Sequence, residues 1–118
     1  MKERIDAFVK HADKVTLDYW TRQGFTHAPA PTHRADYTSD KWVRVVTLEE
    51  RNGVPAVSSV YAFIALQDGQ TKAQGNIKAG DIHKAATFKA PAKYARGSVF
   101  AEDFGRCANE YGIVYLKR

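Results

Sequence analysis

The stretch KWVRVVTLEERNGVPAVSSVYAFIAL, residues 41–66, places two β-rich runs on either side of Asn52-Gly53. Asn-Gly is the dipeptide that best tolerates positive φ at both centre positions of a two-residue turn, so the sequence predicts a hairpin of Lys41–Arg51 and Val54–Leu66. With those two residues as the turn, Arg51 faces Val54. A regular ladder then continues as Leu48–Val57, Val45–Val60, Val43–Ala62 and Trp42–Phe63. That register gathers Trp42, Val46, Leu48, Val57, Tyr61 and Phe63 on one face, which is the face expected to receive a helix. Pro55 stands beside the turn, where a missing amide costs least.

The helix to cover it precedes the hairpin. Ile5, Phe8, Val9, Ala12, Val15, Tyr19 and Trp20 repeat at the helical period, with Lys2, Glu3, Asp6, Lys10, Asp13 and Lys14 on the other side. Gly24 sits where a left-handed C-terminal cap is wanted, so the helix is expected over Lys2–Gln23. Pro29 and Pro31 make the following connection extended, with a short strand near Arg34–Thr38. After Leu66, Asp68-Gly69 ends the second strand, and Gly75 and Gly80 punctuate a loop. A third strand over Asp81–Ala86 is expected to pair with the strand ending at Leu66. Pro91 forbids helix at Ala90. Short strands at Ser98–Phe100 and Gly112–Lys117, around a turn or short helix in Ala101–Glu110, complete the reading. The fold class is α+β: an N-terminal amphipathic helix on one face of a mostly antiparallel sheet of about four to five strands.

Length and composition bound the function. The 118 residues suit one domain spanning residues 1–118, and 14 aromatics (six Phe, six Tyr, two Trp) supply a core. Cys107 is the only cysteine, which excludes an internal disulfide or a Cys-rich zinc cluster and favours a reducing compartment. Met1–Lys14 mixes charges of both signs, and no apolar run approaches the roughly 18 residues of a membrane span; neither a signal peptide nor a membrane partner is expected.

The net charge of +5 is unevenly placed. Residues 70–98 contain Lys72, Lys78, Lys84, Lys89, Lys93 and Arg96 against one acid, Asp81, and so hold the whole excess. Within this segment Lys84, Lys89, Lys93 and Arg96, interleaved with Phe88 and Tyr94, form the mixture that neutralises phosphates and stacks bases. They are the candidate polyanion-binding residues, weighed against a merely solvated lysine-rich edge with Phe88 in the core.

Other chemistry is thinly supported. Gly75, Gly80 and Gly97 fit turns more simply than a phosphate cradle, because no phosphate-loop pattern is present. His27, His33 and Asp36 could meet His83, but no ligand spacing accompanies them. Arg106 next to Cys107 could lower a thiol pKa, although a lone cysteine is usually a small buried apolar residue. Glu49-Glu50 and Glu102-Asp103 are neighbours whose side chains diverge on a strand, so they read as solvated. No catalytic, metal or cofactor residue is assigned.

The runs VYAFI (60–64), GDIHKAATFKAPAK (80–93) and ARGSVF (95–100) resemble a pattern in small uncharacterised proteins of tailed bacteriophages and environmental viral sequences. The resemblance implies viral origin and the host cytoplasm, and carries no activity. Three function classes remain: a non-enzymatic accessory module binding nucleic acid or an acidic protein, a structural homo-oligomer paired through sheet edges, and a small enzyme with its site between subunits.

Overall fold

The computed structural model describes residues 1–25, 29–37, 39–110 and 112–113. Helix α1 spans Lys2–Gln23 as its periodicity dictates, and Gly24 ends it at φ 71°. The Gly24 N–H bonds the Thr21 carbonyl and the Phe25 N–H the Trp20 carbonyl, which is the paired cap that a left-handed glycine permits. The line of buried residues is Ile5, Phe8, Ala12 and Thr16. Thr16, not Val15, continues the stripe.

The main sheet contains β1 (Thr32–Asp36), β2 (Trp42–Arg51), β3 (Val54–Ala65), β6 (Asp81–Ala85) and β7 (Pro91–Ser98) in the order β1-β2-β3-β6-β7, with every neighbouring pair antiparallel. A small hairpin of β4 (Gly69–Thr71) and β5 (Gly75–Ile77) fills what the sequence reads as a loop. A 3-10 turn at Phe104–Cys107 and a two-rung pair, β8 (Ala108–Asn109) with β9 (Gly112–Ile113), follow. Of the expected strand Ser98–Phe100 only Ser98 is strand, as the last residue of the longer β7; Val99 and Phe100 lie in the turn that follows. Of the expected strand Gly112–Lys117, only the first two residues lie among those described.

The turn at Asn52-Gly53 forms as expected, with φ of 53° and 77°. Arg51 pairs Val54 and Leu48 pairs Val57, but Ser58 and then Tyr61 each add an unpaired residue to β3. Beyond the two bulges Val45 faces Ala62, Val43 faces Ile64 and Trp42 faces Ala65, so the regular ladder is corrected by up to two residues. The helix-covered face is corrected as well. It carries Val43, Val45, Ala62, Ile64 and Ile82, packed against Ile5, Phe8 and Ala12. Trp42, Val46 and Phe63 occupy the opposite face, where Trp42 meets Phe63 and His83 edge-on at 6.3 and 5.0 Å. Tyr61 alone of the expected set joins the helix side, because the bulge turns it there; its ring lies 6.1 Å from that of Phe8.

The core closes over the C-terminal pieces, with Val99, Cys107 and Ile113 in the same cluster. Arg4 of α1 ties them down: its Nε donates to the Val99 carbonyl at 2.7 Å and its guanidinium lies 5.3 Å over the Phe104 ring. Among the described residues no helix is long and apolar enough to cross a membrane.

Candidate functional site

The basic residues gather on the β6–β7 hairpin. Lys84 lies on β6, Lys89 and Phe88 in the connecting loop, and Lys93, Tyr94 and Arg96 on β7, an edge strand of the sheet. The loop is shaped by Thr87, whose Oγ1 accepts from the Lys89 and Ala90 N–H groups, while Ala86 and Thr87 N–H both bond the Ala90 carbonyl. This compact turn leaves Phe88 51% exposed, which corrects the expectation that the alternative reading placed on it as a core residue.

The hairpin base is fixed by His83. Its Nδ1–H donates to the Ala92 carbonyl at 2.7 Å, and its Nε2 is buried without a hydrogen-bond partner among the described residues. Gln74 of the β4–β5 hairpin adds a second tie, Nε2–H to the Pro91 carbonyl at 3.1 Å. β7 is thereby anchored at its start, and Lys93 projects from a held strand.

The cations divide between surfaces. Lys84, two residues from core-facing Ile82, lines a shallow depression with Val60, Tyr61, Asn109 and Ile113 on the helix side. Phe88 belongs to the other side: the Arg44 guanidinium lies 4.9 Å above its ring and Nη1 donates to its carbonyl at 3.2 Å. Arg44 is the residue that sequence reasoning missed, since nothing local links it to a loop 44 positions away. The Lys93 ammonium lies 5.3 Å over the ring of Tyr94, which is 65% exposed. Arg96 is half-buried, and its Nε is closed to solvent.

All five lysines of residues 70–98 are exposed, and none has a carboxylate within 4.0 Å among the described residues. The one acid of the segment is engaged elsewhere: Asp81 Oδ2 accepts the Lys78 backbone N–H at 3.0 Å. Among the described residues the five lysines are thus uncompensated, and the rings of Phe88 and Tyr94 are exposed in the same segment.

The remaining candidates separate. His33 does not meet His83; it is buried on β1, bonded through Nδ1 to Asp13 Oδ1 at 2.8 Å, with its ring 4.5 Å from that of Tyr61. Burial lowers its pKa, outweighing the hydrogen bond and charge of Asp13. The Tyr61 hydroxyl donates to the Asn109 carbonyl at 2.5 Å, and its pKa is raised, chiefly by burial. His27 lies outside the described residues. Among those described, no three His, Cys, Asp or Glu side chains are grouped to hold a metal ion. Cys107 is buried, and desolvation pushes its thiol up to about 11, the reverse of the lowering that Arg106 suggested. Arg106 instead points to Asp103 at 4.0 Å on the surface. A protonated, enclosed thiol is no nucleophile.

In comparisons with protein-family models, with curated proteins and with solved structures, no match to this chain emerges.

Proposed function

We propose that the chain is a non-enzymatic binding module whose β6–β7 hairpin takes a single-stranded nucleic acid, with Lys84, Lys89, Lys93 and Arg96 meeting phosphates and Phe88 and Tyr94 meeting bases. The observation that carries this reading is the absence of any carboxylate partner, among the described residues, for five exposed lysines in one segment. Such a surface gains free energy when a polyanion replaces its counterions. Exposed aromatic rings add stacking, about 1–3 kcal/mol per base.

Geometry favours a single strand over a duplex within this reading. Lys84 and Phe88 lie on opposite sides of an edge hairpin, and only a flexible chain wraps such an edge and reaches both. The Arg44–Phe88 pair offers a cation and a π-face together, a combination that suits an unpaired base flanked by its phosphate. A viral origin, implied by the resemblance of residues 60–100, and an acidic protein as an alternative partner belong to the same proposal.

The test is fluorescence anisotropy with a labelled oligonucleotide, single- or double-stranded, against the wild type and a K84A/K89A/K93A variant. Arg96 is left in place because its half-buried position confounds binding with folding. The expected result is tighter binding of the single strand, weakened at least about tenfold by the triple substitution and further by F88A. Equal binding by wild type and triple variant, or no binding at low salt, overturns the reading.

A further inference from the structure

A second groove, chemically opposite to the basic hairpin, lies between the C-terminal half of α1 and the outer part of the sheet. Its volume is about 170 Å³, and its described lining is Thr16, Tyr19, Trp20, Pro31, Thr47, Glu49, Ser59 and Glu110. The local structure explains why these meet. Thr16, Tyr19 and Trp20 stand at i, i+3 and i+4 and share one helix face. Thr47 and Ser59 are directly opposed across β2 and β3, and Glu49 is two residues further along β2 on the same face. The helix-facing side of β2 thus runs Val43, Val45, Thr47, Glu49, apolar under the first half of α1 and polar under the second.

Two supports fix the walls. Phe25, folded back by the Gly24 cap, sets its ring 4.6 Å from the Trp20 ring and 6.4 Å from that of Tyr19. Glu110 is presented by the β8–β9 turn, which is held by the Tyr61 hydroxyl on the Asn109 carbonyl and by the Gly112 N–H on Asn109 Oδ1 at 3.1 Å.

The groove's polar chemistry is one-sided. Neither Glu49 nor Glu110 has a cationic side chain within 4.0 Å among the described residues, although the protein carries a net charge of +5. Thr16, 97% buried by its 3% exposure, contributes a hydroxyl with no hydrogen-bond partner among them. Two aromatic rings, two carboxylates and the three aliphatic hydroxyls of Thr16, Thr47 and Ser59, with no cation in the described lining, form an environment that attracts positive charge. A ring face draws a cation through its quadrupole, and a carboxylate draws it by charge.

We propose that this groove binds a small organic ammonium ion, with Trp20 and Tyr19 against its alkyl groups and Glu49 and Glu110 compensating its charge. The inference stands independently of the hairpin reading, since it uses different residues and the opposite ligand charge. The carboxylates distinguish it from an apolar groove, and the aromatic rings distinguish it from a site for a hydrated metal ion.

The test is an NMR titration of the whole protein, following the Trp20 indole N–H, at constant ionic strength. The probes are choline, a primary alkylammonium and the neutral isostere of choline in which carbon replaces nitrogen. Saturable shifts of Trp20, and not of Trp42, are expected with at least one ammonium, and at least about tenfold weaker binding of the neutral isostere. E49Q/E110Q, which changes charge and little shape at partly exposed positions, is expected to weaken ammonium binding about tenfold while leaving the spectrum folded. Equal affinity for the neutral isostere, no effect of E49Q/E110Q, or no saturable shift at Trp20 overturns the proposal. Which ammonium binds more tightly distinguishes a quaternary headgroup from a primary amine as the natural ligand.

Discussion

His33 shows how a single residue couples the sequence to stability. Its imidazole is enclosed between α1 and the sheet, and burial holds its pKa below the ordinary 6.5 despite the Asp13 carboxylate at 2.8 Å. The unfolded chain therefore takes up a proton that the folded chain resists. Stability from this group is full above about pH 6.5 and is lost as pH falls through the lowered folded value. Thermal midpoints measured from about pH 8 down to about pH 5 should fall below pH 6.5 for the wild type. The profile of H33F, which keeps a ring against Tyr61, should be flatter over that window; equal slopes would show that His33 does not carry the effect.

At the scale of elements, the helix and the central hairpin were readable because each is specified by local chemistry. A seven-member apolar stripe ending at Gly24 leaves one interpretation, and Asn52-Gly53 pins the first rungs of the ladder. Ala in place of Gly53, at φ 77°, should lower stability by about 1 kcal/mol in urea denaturation, while Gly69, free of positive φ, should tolerate Ala better. The bulge at Tyr61 lies in Val60–Ala65, which is apolar at every position and so carries no period to fix a register, while the Ser58-Ser59 pair breaks the alternation at the first bulge and was the one signal available. The helix-covered face was misread because β2 is apolar on both sides: Val43 and Val45 face the helix, while Trp42 and Val46 face the other way and are covered too. Strand β7 was hidden by Pro91 and its charges, since an edge strand needs neither apolar alternation nor every amide. Of the two candidate sites, the basic hairpin showed itself as contiguous charge. The groove did not, because Thr16, Thr47 and Glu110 come from three distant segments and none is unusual in its own neighbourhood.

Over the whole molecule, one cluster joins α1, the sheet and the C-terminal pieces, and Phe8 stands at its centre, fully buried and touching both Tyr61 and Phe104 edge-on or tilted. Phe8→Ala should cost about 3–5 kcal/mol, a large part of the roughly 5–15 kcal/mol that holds a domain folded, and a urea midpoint would register it. On this frame the charge is separated: positive lysines on the β6–β7 edge, and at the groove beside the end of α1 two carboxylates with no cationic partner among the described residues. The central claim is that the positive edge exists to meet phosphates, and the salt dependence of single-strand binding tests it most directly. Plotted as the logarithm of affinity against the logarithm of salt concentration, the wild type should give a steep negative slope. K84A/K89A/K93A should be shallower by about two, the value for losing three phosphate contacts to a single strand. A wild-type slope near zero, or the same slope in both proteins, would contradict it.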